Sequence, residues 1–208
     1  MIFTYNRQHV GDVLMVIVAD TKGEKVSVER KGDVARVYVA ATNQTVAWNI
    51  FEVSKLVEIS GSGQVLLSDE QVAVLNSELE KEGFEESLCN DHSSKFVVGQ
   101  IISALSHPDS DHLTICQVQI ATDKTVQIVA GAPNVVEGMK TIVALPGAMM
   151  PSGSLIFAGK LRGEDSFGMM CSPRELSLPN APQVRGIIEL SETAVVGAAF
   201  DPAQHWHG

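Results

Sequence analysis

Basic residues are in short supply in this chain. Its 208 residues include 15 Lys and Arg against 25 Asp and Glu, which gives a formal net charge of −10. Acidic residues outnumber basic ones both before and after residue 89. Proteins that hold phosphate backbones without sequence preference carry the opposite balance. The composition therefore argues against tight, non-specific binding of nucleic acid.

Cysteines and long apolar runs are also few. Cys89, Cys116 and Cys171 are widely spaced and form no CxxC pair, so neither a zinc site nor a disulfide framework is indicated. The longest apolar run near the N-terminus, residues 13–19, is far shorter than the roughly 20 residues that cross a bilayer. No secretory leader pattern precedes it. We therefore expect reduced thiols and a cytoplasmic protein without a membrane span.

The first half of the sequence predicts short strands followed by one helix. Ser68 and Gln71 match a capping box, in which the serine caps a helix and the glutamine reaches back to it. Val72, Leu75 and Leu79 then recur at helical spacing and form one apolar face. The other signals are strand-like stretches at residues 13–18, 25–29, 34–39 and 46–57, a helix stop at Gly83 and a polar linker over residues 84–94. We expect a small α+β domain over residues 1–89, in which the strand at 13–18 is covered on both faces.

The second half of the sequence has the rhythm of an all-β domain. Short strand-like stretches alternate with turns that contain Pro, Gly, Asn or Asp, and no helix-length pattern interrupts them. The strand-like stretches are residues 96–105, 113–120, 125–129, 141–145 and 187–190. Residues 90–208 are therefore predicted to form a five-stranded β-barrel of the OB type with an extension, and the chain as a whole is predicted to be mainly β.

Several motifs follow one another in this half and carry a family resemblance. They are VGQI at 98–101, HPDSDHL at 107–113, QIVAGAPN at 127–134, VALPGA at 143–148 and KLRGEDSFGMMCS at 160–172, followed by Glu175-Leu176. In this order they resemble the tRNA-binding domain shared by the bacterial phenylalanyl-tRNA synthetase β subunit, the methionyl-tRNA synthetase C-terminus and the EMAP-II-like proteins. The resemblance covers about residues 95 to 200. With an α+β module ahead of the barrel, the whole chain is similar to the YtpR-type free-standing tRNA-binding proteins.

The chemistry of the KLRGEDSFGMMCS motif is compatible with RNA contact. Lys160 and Arg162 are two residues apart, so on a strand they would project to the same face, where both suit phosphate. Ser166 adds a hydroxyl, and Asn134, in a turn, can donate and accept hydrogen bonds. For an isolated Lys-x-Arg, an ordinary solvated surface would be the better interpretation. The position of this pair within the ordered series of motifs favours RNA.

The resemblance implies an RNA-binding site and a non-catalytic protein. The residues that match the family signature associated with RNA contact are Asn134, Lys160, Arg162, Ser166, Met169 and Ser172. The chain departs from the family at His112, Thr114 and Gln117, where basic residues are common, so we expect affinity on the order of micromolar or weaker at physiological salt. Phe167 is the candidate for stacking on a base, with core packing as the alternative.

Other site chemistries are weaker interpretations of the sequence. His107, Asp109, Asp111 and His112 look like a metal cluster, but a strand-connecting turn explains them better, since the ligand pattern of a calcium loop is absent. Tail histidines His205 and His207 are assigned to a frayed end. No acid–base or nucleophile constellation is present, and no cofactor is expected. The sequence therefore predicts no metal site and no enzyme.

A protein-interaction or chaperone-like module is the competing hypothesis. In it the barrel serves as a docking or homodimerisation surface, which the net charge of −10 favours. An exposed apolar face around Met149, Met150 and Leu155 would support this alternative. A clustered positive face on the barrel would favour RNA.

Overall fold

The computed structural model describes residues 1–206, and the chain folds into two compact units, Met1–His92 and Ser93–Gly208. We call them the N-terminal and C-terminal units. His207 lies outside the described residues. Both units are rich in β-structure, as the sequence predicts. No helix of the described residues is long and apolar enough to span a bilayer.

The N-terminal unit is a six-stranded antiparallel sheet with one helix. Its strands are β1 Ile2–Tyr5, β2 Val13–Ile17, β3 Val26–Lys31, β4 Val34–Val39, β5 Thr45–Phe51 and β6 Gly63–Val65, with a 3₁₀ turn at Val53–Lys55 and helix α1 at Asp69–Lys81. The spatial order is β3-β4-β5-β2-β1-β6. Short strands β1 and β6 were not predicted from the sequence. The expectation that both faces of β2 are covered is wrong, because only alternate residues of this strand are fully buried.

Helix α1 begins where its capping box predicts. The Ser68 hydroxyl accepts the Gln71 backbone N–H at 3.2 Å, and the Gln71 side chain accepts the Ser68 N–H at 2.8 Å. The helix buries Val72, Leu75 and Leu79 in the same core as Trp48 of the sheet. The linker predicted from residue 84 is in part wrong. Phe84 and Leu88 also pack into this core, with Phe84 edge-on to Trp48 at 4.9 Å between ring centroids.

The C-terminal unit is a curled five-stranded antiparallel sheet of OB-like form. Its elements are β7 Phe96–Ser106, β8 Thr114–Ala121, β9 Lys124–Ala130, β10 Lys140–Ala144, β11 Gly159–Leu161, β12 Glu164–Ser166, β13 Met169–Met170 and helix α2 Pro202–His205. The sheet order is β13-β10-β7-β8-β9, and β11 and β12 form a separate hairpin. Residues 187–190, expected as a strand, form isolated contacts only, including a bridge from Leu190 to Lys140.

Long strand β7 makes the curl possible. Its first half pairs with β10 and its second half with β8, and the register of the β8 pairing shifts between Ile101 and Ser103. A bulge of this kind bends a strand, so one strand can serve both sides of a barrel. The far edges then approach each other, since the Phe167 N–H donates to the Gln127 carbonyl of β9 at 2.8 Å.

Two apolar clusters fill the C-terminal unit. The first lies inside the curl and includes Ile101, Val118, Ile128 and Val143. The second includes Val98, Ile142, Met150 and Cys171 and is packed by residues of the C-terminal extension, among them Phe200 and Trp206. His205 belongs to α2 and its ring lies 5.9 Å from that of Phe200, so its assignment to a frayed end is wrong.

Candidate nucleic-acid interface

Lys160 and Arg162 lie on the β11–β12 hairpin but not on one strand face. Lys160 faces Asp165 across the hairpin, and their Nζ and Oδ1 atoms are 3.1 Å apart. Arg162 and Gly163 form the two-residue turn with φ of 48° and 90°, the positive values that a type I′ turn requires at both central positions. The same-face prediction is therefore wrong, because the arginine occupies the turn. Arg162 is instead presented at the tip of the hairpin.

The tip of the hairpin contacts the loop between β7 and β8. Arg162 Nη1 donates to the Asp109 carbonyl oxygen at 3.3 Å. His107 shapes that loop: its buried ring accepts the Asp109 N–H at Nδ1, at 3.0 Å, and its backbone N–H donates to the Leu113 carbonyl. The turn predicted for this loop is confirmed. In OB folds the loops after strands 1 and 4 flank the oligonucleotide-binding face, and the Arg162–Asp109 contact joins the same two connections here.

The β7–β8 loop has a local acidic charge. The hydrogen bond from His112 holds the pKa of Asp111 below its usual range, with the Asp111 backbone N–H and the charges of His112 and Arg162 acting in the same direction. His112 Nδ1 lies 2.7 Å from Asp111 Oδ1, and both side chains are exposed.

Among residues 1–206 no group of three or more His, Cys, Asp or Glu side chains is arranged to hold a metal ion.

Ser166 ties the hairpin to the barrel. Its hydroxyl accepts the Val129 N–H at 3.2 Å and donates to the Gly168 carbonyl at 3.3 Å. Gly168 has a φ of 146°, and a Cβ there would lie 2.7 Å from the Ala144 carbonyl oxygen, so a glycine is needed for this close approach. Phe167 between them is 41% exposed. Phe167 is therefore not a core residue, and it remains the candidate for stacking on an RNA base.

Asn134 holds a distant segment of the chain. Its Nδ2 donates to the Ile187 carbonyl at 3.0 Å, and its Oδ1 accepts the Ile187 N–H at 2.9 Å. Both groups of the side-chain amide are thus used by one residue, 53 positions away. Gly186 packs against the amide so closely that a Cβ there would lie 3.0 Å from Asn134 Oδ1. The side chain that the sequence assigns to RNA contact is a clamp within the protein.

Ser172 and Met169 follow Ser166 along the chain, and neither is exposed. Ser172 is 8% exposed; its hydroxyl and its N–H both donate to Glu175 Oε2, at 2.7 and 2.8 Å. In return the Glu175 N–H donates to the Ser172 hydroxyl at 3.3 Å. Met169, on β13, is half-buried and packs beside the second apolar cluster.

These residues surround a cleft of about 270 Å³. Met169 and Ser172 line it directly, and Asn134 fixes the Gly186–Ile187 wall. Ser166 fixes Val129, which also lines the cleft. Two of the six predicted residues, Met169 and Ser172, therefore line the cleft. Asn134 and Ser166 are hydrogen-bonded to residues that line it, and Lys160 and Arg162 belong to the hairpin.

Two arginines at this cleft were not predicted from the sequence. Arg174 and Arg185 both line it and both are exposed. Arg185 Nη2 donates to the Gly131 carbonyl at 2.9 Å, across a separation of 54 residues. Arg174 lies between the KLRGEDSFGMMCS motif, which ends at Ser172, and the Glu175-Leu176 pair that follows it. Proximity to that motif was the one available signal, and nothing local pointed to Arg185.

Comparison with known proteins decides the family. A family model described as "Putative tRNA binding domain" matches residues 96–199, and a model described as "Domain of unknown function (DUF4479)" matches residues 21–91. The "Putative tRNA-binding protein YtpR" of Bacillus subtilis is 43% identical over 196 residues, which span 94% of this chain and 97% of that protein. The chain belongs to the YtpR family.

The C-terminal unit also matches parts of much larger proteins. The phenylalanine–tRNA ligase beta subunit of Bartonella henselae is 45% identical over 106 residues, or 50% of this chain and 13% of that subunit. The corresponding subunit of Rhodospirillum rubrum is 48% identical over 114 residues, or 51% of this chain and 14% of its own length. These partial matches relate the barrel of this YtpR-family chain to one module of those subunits.

Proposed function

We propose that this chain is a non-catalytic, cytoplasmic tRNA-binding protein that holds folded RNA on its C-terminal unit. The observation that carries the proposal is the contact of Arg162 with the Asp109 carbonyl, 3.3 Å, which brings the hairpin tip and the β7–β8 loop to one rim of the barrel. Loops in these positions flank the nucleic-acid face of OB folds. Membership of the YtpR family and the match to the tRNA-binding family model support the same function.

Binding on this face is expected to be modest. Lys160 is already paired with Asp165, so a phosphate must compete with that carboxylate. In a plot of log binding constant against log salt concentration, each phosphate contact contributes a slope of roughly −0.9. Two contacts on the hairpin therefore give a slope of about −2 at most. The hairpin can position an RNA but does not supply tight binding alone.

The thiols of the C-terminal unit support a non-catalytic role. Burial raises the pKa of Cys116 to about 11 and that of Cys171 to about 12. Both therefore remain protonated at neutral pH, whereas a cysteine nucleophile reacts as the thiolate. Neither thiol is suited to attack an aminoacyl ester on a bound tRNA.

The apolar face that would support the competing docking hypothesis, around Met149, Met150 and Leu155, is not exposed. Met150 is buried at 4% exposure, and Met149 and Leu155 are half-buried and pair with each other through a β-bridge. These residues pack on their own unit and do not form an exposed apolar face. We therefore favour RNA over a protein partner as the ligand of the barrel.

Fluorescence anisotropy of labelled bulk tRNA, titrated with the full chain at two salt concentrations, tests the proposal. Saturable binding that weakens with salt is expected, and Lys160→Ala with Arg162→Ala should weaken it several-fold. The matched control is Lys22→Ala with Lys25→Ala, which removes two exposed charges from the N-terminal unit. Absence of binding at low salt would refute the function. Equal effects of the two double variants would refute the hairpin as the contact.

A further inference from the structure

Some basic side chains of the C-terminal unit are bonded to acidic side chains or backbone carbonyls of the protein, and others form no ion pair within residues 1–206. Lys160 is paired with Asp165, and Lys140 Nζ donates to the carbonyls of Glu192 and Ala194 at 2.6 and 2.8 Å. Arg174 and Arg185, in contrast, have no carboxylate within ion-pairing distance among the described residues. Their charges therefore remain available to an anion, as does that of Arg162 on the hairpin, and Arg174 and Arg185 both border the cleft.

The cleft combines this charge with an apolar floor. Met169, Met170, Ala132 and Ile187 supply apolar surface, and Arg174 and Arg185 are among the other lining residues. One carboxylate, that of Glu175, also borders the cleft, but its Oε2 is engaged by the N–H and hydroxyl of Ser172. Two arginines against one carboxylate leave the lining with net positive charge.

The walls of the cleft are held in place before any ligand arrives. Arg185 is fixed by its bond to the Gly131 carbonyl at 2.9 Å, and Ile187 by its two bonds to Asn134. Binding therefore requires little further ordering of this side, and preorganisation of that kind raises affinity. The remaining donors of the Arg185 guanidinium can still form the planar fork that matches a phosphate.

We propose that this cleft receives one unstacked nucleotide of a bound RNA, with its phosphate on Arg174 and Arg185 and its base against the apolar floor. The proposal rests on the proposed RNA-binding function and extends it to a second contact beyond the hairpin. The volume of about 270 Å³ is just below the usual range for ligand pockets, so the cleft can take no more than about one nucleotide. Proteins recognise RNA chiefly through such splayed-out bases, stacked on side chains or guanidinium planes.

The test compares two RNAs in the same anisotropy assay with the full chain. One probe is folded tRNA, which has unpaired nucleotides. The other is a blunt-ended RNA duplex with the same number of phosphates, which has none. Wild-type protein is expected to prefer tRNA by about tenfold, the effect of one well-formed charge-assisted contact. Arg174→Ala with Arg185→Ala should remove most of that preference.

Two further variants separate shape recognition from general charge. Lys22→Ala with Lys25→Ala should affect the binding of both RNAs equally and leave the preference for tRNA intact. Arg174→Lys with Arg185→Lys keeps the charge but lacks the planar fork, so it should leave duplex binding unchanged and restore only part of the preference for tRNA. An equal loss for both RNAs in the alanine variant, or no loss, would overturn the cleft as a nucleotide site. Failure of wild-type protein to bind tRNA would instead refute the underlying function.

Discussion

Replacing Asn134 with alanine should destabilise the C-terminal unit and open one wall of the cleft. The substitution removes two hydrogen bonds, at 3.0 and 2.9 Å, and leaves the N–H and carbonyl of buried Ile187 without these partners. A hydrogen bond contributes about 1 kcal/mol net, and an orphaned buried group costs about 1–3 kcal/mol. Because Asn134 is half-buried, water can replace part of the loss. We therefore expect a destabilisation of about 2 kcal/mol.

A matched substitution exists in the N-terminal unit. The Asn76 side chain closes the same pair of bonds on Leu88, with Nδ2 donating to the carbonyl at 3.0 Å and Oδ1 accepting the N–H at 2.7 Å. Asn76→Ala should therefore lower stability by a similar amount, about 2 kcal/mol. Its effect belongs to the unit that we do not assign to RNA, so tRNA affinity should hardly change.

Hydrogen–deuterium exchange is the assay that resolves the two sites. In Asn134→Ala the amide of Ile187 should exchange roughly 30-fold faster than in wild type, as about 2 kcal/mol requires. In Asn76→Ala the same acceleration should appear at Leu88 and not at Ile187. Unchanged exchange at Ile187 in Asn134→Ala would refute the clamp. Lost tRNA binding with unchanged exchange would return Asn134 to the role of a direct RNA contact.

Two other predictions test the local geometry of each unit. Gly168→Ala should lower the thermal midpoint more than Gly163→Ala, since a Cβ at 168 meets the Ala144 carbonyl at 2.7 Å and one at 163 meets nothing within 4 Å, although both glycines have positive φ. In the N-terminal unit, burial tends to raise the pKa of Asp12, but hydrogen bonds from Ser54 and Tyr5 outweigh it and hold the pKa below its usual range. The stability from a lowered carboxyl pKa is present above the unfolded value and is lost as pH falls through the folded value. The ordinary pKa of an aspartate is about 4. Lowering the pH below this value should therefore reduce the free energy of unfolding, measured with urea, more in wild type than in Asp12→Asn. Equal reductions in the two proteins would contradict the prediction.

Features that depend on neighbours along the chain were predicted from the sequence. The capping box of Ser68 and Gln71 joins residues three apart, and the face of Val72, Leu75 and Leu79 follows from helical spacing alone. In the barrel the alternation of strands and turns was sufficient for β7 to β10, because turn residues mark each boundary. Local chemistry decides these elements, so the sequence alone is informative.

Features that depend on distant contacts could not be predicted. The Gly159–Leu161 and Glu164–Ser166 strands are three residues each, too short for a period-2 pattern, so the turn at Arg162 was mistaken for a strand. The cleft forms only when Asn134 pairs with Ile187 and Arg185 reaches Gly131, contacts that span 53 and 54 residues. No local signal predicts such a pairing.

Three signature residues and two arginines outside the signature thus have different physical roles at the cleft. Asn134, Ser166 and Ser172 use their hydrogen-bonding groups on Ile187, Val129 and Glu175, so they build the cleft. Arg174 and Arg185 are exposed residues that line this cleft, so they can bind an anion without holding the fold together. A loss of RNA binding alone cannot distinguish the two roles. Substitutions of the first kind should lower binding and stability together, and substitutions of the second kind should lower binding alone, so a measured ratio of the two effects assigns each residue its role.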